Sequence, residues 1–187
     1  MKNNENFLMI VIVASFFLCG CQQIAKYEEE NINMEQEELF DIYYLFEAPK
    51  AKKDYNLTEI IKVVFTKNDS SLTDTVAIDI QNNEIYIDPR VSSLGIRARN
   101  GTLQISDADK VLKILEKYDV QSWKNDYSFE NPDTYEDGFG WNLIIQFEDG
   151  AIKEYRGSGS EEEITPSNFK AFVAELTNFA DDRLNNE

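Results

Sequence analysis

From residue 56 onward, apolar positions recur with two distinct periods. Ile61, Val63 and Phe65 alternate with Lys62, Val64 and Thr66, and Val76, Ile78 and Ile80 alternate with Ala77 and Asp79. Alternation sends successive side chains to opposite faces, which is the mark of a strand. Asn82-Asn83 tolerates positive φ, so it turns the second run back through Ile85 and Ile87. This predicts a hairpin over 75–88, stopped by Pro89. Ile96 and Ala98 alternate next, and Asn100-Gly101 suits a type I′ turn into Leu103 and Ile105.

The period then changes to that of a helix. Ala108, Val111, Leu112, Leu115 and Tyr118 share one face, with Lys110, Lys113, Glu116 and Lys117 largely off it. Ser106 is the expected N-cap, and Asp107 and Asp109 suit the positive end of the helix dipole. Phe169, Phe172, Val173, Leu176 and Phe179 repeat the pattern in a second helix. There Thr165 is the expected N-cap, with Pro166 at the first helical position.

Between the helices, Val120 to Gly140 is irregular and rich in aromatic residues. Trp141, Leu143, Ile145 and Phe147 then form a clear strand, which Asp149-Gly150 turns back into 152–156. A two-residue turn sets Phe147 opposite Ile152 and Ile145 opposite Glu154. A carboxylate facing a core residue calls for a bulge or an edge position. The class that follows is α+β: an antiparallel sheet of hairpins with two amphipathic helices on one face.

Ahead of this domain lies a different pattern. Phe7 to Leu18 is an unbroken run of apolar or small residues. It falls short of the roughly 20 needed to span a bilayer and within the roughly 7–15 of a signal-peptide core. It ends in Leu18-Cys19-Gly20-Cys21, with Leu three residues before the last cysteine and a small residue just before it. This stretch resembles the lipobox of bacterial lipoproteins. The resemblance implies a signal peptide over 1–20 and diacylglycerol on the Cys21 sulfur. The protein would then be exported and lipid-anchored, on the outer face of the cell membrane or on the outer membrane of a diderm. Buried acyl chains, at about 0.8 kcal/mol per CH₂, would hold it firmly. The competing reading is an uncleaved N-terminal anchor.

Three regions follow: the signal over 1–20, a lipidated and acidic tether with an apolar docking segment over 21–55, and a single α+β domain over 56–187. The tether carries Glu28, Glu29, Glu30, Glu35, Glu37, Glu38, Asp41 and Glu47 against Lys26. Its first half reads as solvated chain. Leu39, Phe40, Ile42, Tyr43, Tyr44, Leu45 and Phe46 are too apolar for a linker, and their period leaves helix and strand both open.

Composition narrows the chemistry. The chain has no histidine, which excludes Ser-His-Asp and Cys-His catalysis and histidine metal sites. Cys19 leaves with the signal and Cys21 carries lipid, so no thiol remains for a disulfide or a cysteine-held metal. No cofactor is expected. The formal charge of −17 disfavours nucleic acid, whose phosphates need clustered Lys and Arg. It favours solubility and cationic partners, and a monomer is expected.

The most distinctive stretch is Trp123-Lys124-Asn125-Asp126-Tyr127 through Asp137-Gly138-Phe139-Gly140-Trp141, with Phe147-Glu148-Asp149-Gly150, Tyr155-Arg156-Gly157-Ser158 and Pro166-Ser167-Asn168-Phe169 after it. Over about residues 106–176 it resembles a group of uncharacterised bacterial secreted or lipoprotein domains, which implies a fold and no known reaction. Trp123, Tyr127, Tyr135, Asp137 and Trp141 are the candidate binding surface, a shallow stacking platform for a sugar or a peptide. The alternative is that these aromatic rings plug the end of the sheet. Glu130, Asp133, Glu136 and Asp137 are the carboxylates nearest a glycosidase pair, and Asn131, Asp133 and Asp137-Gly138 only loosely match a calcium loop. No catalytic and no metal-ligating residue is assigned.

Three functions fit. The first is a membrane-anchored, non-enzymatic binding module with a protein or glycan partner. The second is an acidic immunity or inhibitor protein that meets a basic target. The third is an Asp/Glu-dependent hydrolase.

Overall fold

A computed structural model describes residues 36–69, 73–87, 89, 101–128, 139–159 and 164–185. Residues 36–187 make one compact unit. Six strands form a single sheet: β1 (Ile60–Asn68), β2 (Thr73–Asp79), β3 (Glu84–Tyr86), β4 (Thr102–Gln104), β5 (Gly140–Phe147) and β6 (Ile152–Ser158). Their order is β4-β3-β2-β1-β5-β6, and every pairing is antiparallel. The helices are α1 (Gln36–Leu39), α2 (Lys110–Lys117) and α3 (Phe169–Leu184), joined by short 3-10 turns at Ile42–Glu47, Leu57–Glu59 and Val120–Ser122. This is the expected α+β class. Among the described residues no helix is long and apolar enough to cross a membrane.

The strand periods sort residues between two cores. Val63, Phe65, Val76, Ile78, Ile85, Leu143, Ile145 and Phe147 face α2 and α3, meeting Val111, Leu115, Phe172 and Leu176. Their alternating neighbours Val64, Ile144 and Ile152 face the other way, onto Leu39, Ile42, Leu45 and Ala48. The residues 36–55, set apart above from the 56–187 domain, therefore pack into the same compact unit. The segment at 39–46 is neither a strand nor a regular α-helix but mostly a 3-10 turn, capped by Asp41, whose carboxylate accepts from the Tyr43 N–H. It acts as a strap across the second face of the sheet.

The strap lies over a polar interior. Lys62 and Asp79 face each other across β1 and β2, only 5 % and 2 % exposed, with Nζ and Oδ2 2.7 Å apart. Asp79 also accepts from the backbone N–H and side-chain amide of Asn82, at 2.9 and 3.0 Å. The fully buried Gln146 donates to the Leu39 carbonyl at 2.7 Å and to the Gly150 carbonyl at 3.2 Å. A strand with Lys in its period looks half-exposed, so the sequence gives no hint of this second burial.

Several local expectations change. The β5–β6 loop has three residues, not two: Phe147 N–H donates to the Ala151 carbonyl, and Gly150 takes φ +84°. The register moves by one, so Glu154 sits opposite Ile144 and Lys153 opposite Ile145. Glu154 thus joins the strap face, where it pairs with Lys50 at 2.6 Å. β6 is an edge strand as anticipated, while the bulge lies on β1 between Ile60 and Lys62. Single bridges from Lys50 and Asp126 cover parts of that edge. Helix α2 begins at Lys110 after a turn at Asp107–Asp109, so Ser106 is not its cap. Helix α3 begins at Phe169, whose N–H donates to the Pro166 carbonyl, so Thr165 is not its cap either. The first arm expected at Ile96–Arg99 lies outside the described residues, and the second arm, β4, pairs with β3.

Removing one partner of a buried ion pair strands the other charge, at a cost of about 3–5 kcal/mol, whereas an apolar pair of similar volume is often neutral or better. Asp79→Ala should therefore lower the urea midpoint sharply. The double variant Lys62→Met with Asp79→Leu should recover most of the loss, as read by equilibrium unfolding followed by circular dichroism.

Candidate functional site

The aromatic stretch singled out in the sequence folds inward. Trp123, held by the 3-10 turn after α2, is 7 % exposed, and Trp141, opening β5, is 3 % exposed. Their rings meet edge-on at 6.0 Å, and Trp123 meets Phe172 edge-on at 5.1 Å and Tyr155 at 6.2 Å. Trp141 packs on Phe169 at 4.8 Å. Neither tryptophan offers an open ring face, so the plug at the end of the sheet is the arrangement found. Tyr127 is half-buried, tilted on Trp141 at 5.8 Å, and its hydroxyl accepts from the Lys124 N–H. Tyr135 and Asp137, like Glu130, Asp133, Glu136 and Asn131, lie outside the described residues.

The reason the plug closes is local. The Trp141 indole N–H donates to the Ile164 carbonyl at 2.8 Å, passing over Gly157 of β6. A Cβ on Gly157 would run into that carbonyl and into the indole nitrogen. The Gly-Ser turn noted in the sequence is thus a close backbone approach, which only a residue without a side chain permits.

Two openings flank the plugged core. One is a groove between α2 and α3 of about 440 Å³, lined by Lys110, Lys113, Lys117, Glu175, Asp182 and Arg183 over a floor of Ile114 and Phe179. The Arg183 guanidinium lies on the Phe179 ring at 3.6 Å and binds both oxygens of Asp107. Lys117 and the Tyr118 hydroxyl share the Glu175 carboxylate, and that hydrogen bonding holds Glu175 below its ordinary range and Lys117 above it. The other opening is a smaller cavity of about 100 Å³ beside β5 and β6, walled by Lys53, Tyr55, Gln121, Phe147, Lys153 and Tyr155. Tyr55 stacks on Phe147 at 3.9 Å, and its hydroxyl donates to Asp149 at 2.7 Å, which pushes the phenol up to about 12.

Sequence reasoning missed both openings. The groove is lined by the polar face of α2, whose lysines read as an ordinary solvated surface. The cavity gathers residues from loops far apart in the chain. The one available signal was the i, i+3, i+7 spacing of Lys110, Lys113 and Lys117, which places three cations on one stripe of α2. Among the described residues no three Asp or Glu side chains gather as metal ligands would. No known protein family, curated protein or solved structure matches the chain.

Hydrogen bonds from Arg183 and then Lys110 lower Asp107 from 3.8 to about 2. A depressed carboxyl stabilises the fold above its unfolded pKa and loses that contribution as pH falls through the folded value. The tie between α3 and the start of α2 should therefore weaken between about pH 4 and pH 2. In a carbon-detected NMR titration, Arg183→Gln should move the Asp107 midpoint back up towards 3.8.

Proposed function

We propose that the protein is an exported lipoprotein, anchored through Cys21, whose domain serves as a non-enzymatic binding module at the cell envelope. The groove between α2 and α3 is the observation that carries the module reading. Helices cover one sheet face and the strap covers the other, so the groove is an accessible surface that joins charge to an apolar floor. Four cations line it against Glu175 and Asp182, on a chain of net charge −17. The partner it suits is a protein segment presenting carboxylates beside an apolar side chain. Such complementarity steers encounter and selects partners.

The immunity or inhibitor reading is the second. It is favoured by the overall negative charge, which would meet a basic target. The two readings predict opposite responses to charge reversal on the groove. A reversed lysine would weaken binding to an acidic partner and strengthen binding to a basic one.

The anchor is tested first: Cys21→Ala should abolish labelling with radioactive palmitate and move the protein out of the membrane fraction. Retained labelling would remove the lipoprotein reading. A photo-crosslinking residue in place of Asn178, on the groove wall, should trap a discrete partner in intact cells. The same residue in place of Thr75 in β2 should not. Adding Lys113→Glu and Lys117→Glu should suppress the crosslink, and a stronger crosslink would instead favour the basic-target reading.

A further inference from the structure

The cavity beside β5 and β6 has features that the fold does not explain. Tyr155 is fully buried in its wall, and its hydroxyl has no hydrogen-bond partner among the described residues. A buried hydroxyl left unmade costs about 1–3 kcal/mol, and a phenylalanine would fill the same space without that cost. Such a group signals something that occupies the space beside it. Burial also pushes its ionisation up, so at neutral pH it stays protonated and can donate.

The rest of the wall indicates what the occupant is. Lys153 is half-buried, with its ammonium 5.1 Å from the centre of the Tyr155 ring. Lys53 approaches from the loop before β1, 4.4 Å from the centre of the Tyr55 ring. Its nearest acidic group in an ion pair is Glu59 at 4.0 Å, a long contact. Against these two cations the wall carries one carboxylate, Asp54. Gln121 already donates its amide to the Tyr55 carbonyl at 3.0 Å, which closes that side. Ile60, Ile145 and Phe147 supply apolar wall. A net positive, partly apolar cavity holding an unused donor is therefore set into a strongly acidic protein.

From this geometry we infer that the cavity binds a small organic carboxylate. Its short apolar part lies on Ile145 and Phe147, and its carboxylate takes the Tyr155 hydroxyl and the Lys153 ammonium. A charge-assisted bond to a buried phenol is among the stronger hydrogen bonds a protein makes. The volume of about 100 Å³ limits the ligand to a few heavy atoms. The site is separate from the groove between α2 and α3 and does not depend on the partner proposed there.

The test is a titration of the full chain in neutral maltoside micelles, followed by amide shifts in proton–nitrogen correlation spectra. The probes are sodium propionate, propionamide and propylammonium chloride. Propionate alone should give saturable shifts centred on Gln121, Phe147 and Lys153. Tyr155→Phe and Lys153→Gln should each weaken it by about tenfold or more while spectral dispersion is kept. Thermal melting provides the second reading: Tyr155→Phe should raise the melting temperature without propionate and lose the rise that propionate gives the parent protein. The proposal is overturned by equal shifts from propionamide, by no saturable shift with propionate, or by unchanged affinity in both variants.

Discussion

Burial of the sheet on both faces is the constraint on which the rest of this structure depends. The central strands β1 and β5 pair with each other over most of their length, and each carries core residues on both sides. One side is closed by α2 and α3. The other is closed by a strap of only about a dozen residues, too short to bury a whole face in apolar contact. The protein meets this with polar groups that satisfy one another: the Lys62–Asp79 pair, the Asn82 bonds to Asp79, and the Gln146 bonds to the strap and to the β5–β6 loop. Buried polar groups are tolerable only when partnered, so these contacts tie the strap's position to the sheet's register.

The same economy governs the other end of β5. Trp141 closes the helix-side core by reaching across Gly157 to the Ile164 carbonyl, which joins β5, β6 and the approach to α3 at one point. With Trp123 wedged among Trp141, Tyr155 and Phe172, the aromatic stretch is spent on packing. Its conversion from a candidate surface into a plug moves the functional question elsewhere. The surfaces left are a cationic groove between two helices and a small cavity with an unused phenol. Both are positive patches on a negative protein, and both suit anionic ligands.

How much of this was legible along the chain follows from the range of the forces involved. The hairpin turning at Asn82-Asn83 and the stripes of both helices were readable because period and turn chemistry are local. Asn83 does take positive φ, at 54°. Helix starts were misplaced because tertiary demands outrank capping preference. Asp107 is drawn to Arg183, and Ile164 is held by Trp141 before the chain can enter α3. The β5–β6 register depended on a single extra loop residue, and one residue reverses every side chain on a strand. The candidate site was the least legible part. Its wall gathers side chains from the loop before β1, the turn after α2, and the end of the β5–β6 hairpin.

By itself the sequence determined the α+β class, the sheet of hairpins and the two amphipathic helices, because hydrophobic period and turn residues act between near neighbours. It also determined which chemistries are closed, since a chain without histidine or a spare thiol cannot supply them. Only the tertiary structure decided that Lys62 and Asp79 are core, that the apolar run at 39–46 is a strap, and that Trp123 and Trp141 are plug rather than platform. Each of those outcomes turns on what lies across a face from a residue distant in sequence. Burial is a property of that pairing and not of the residue alone.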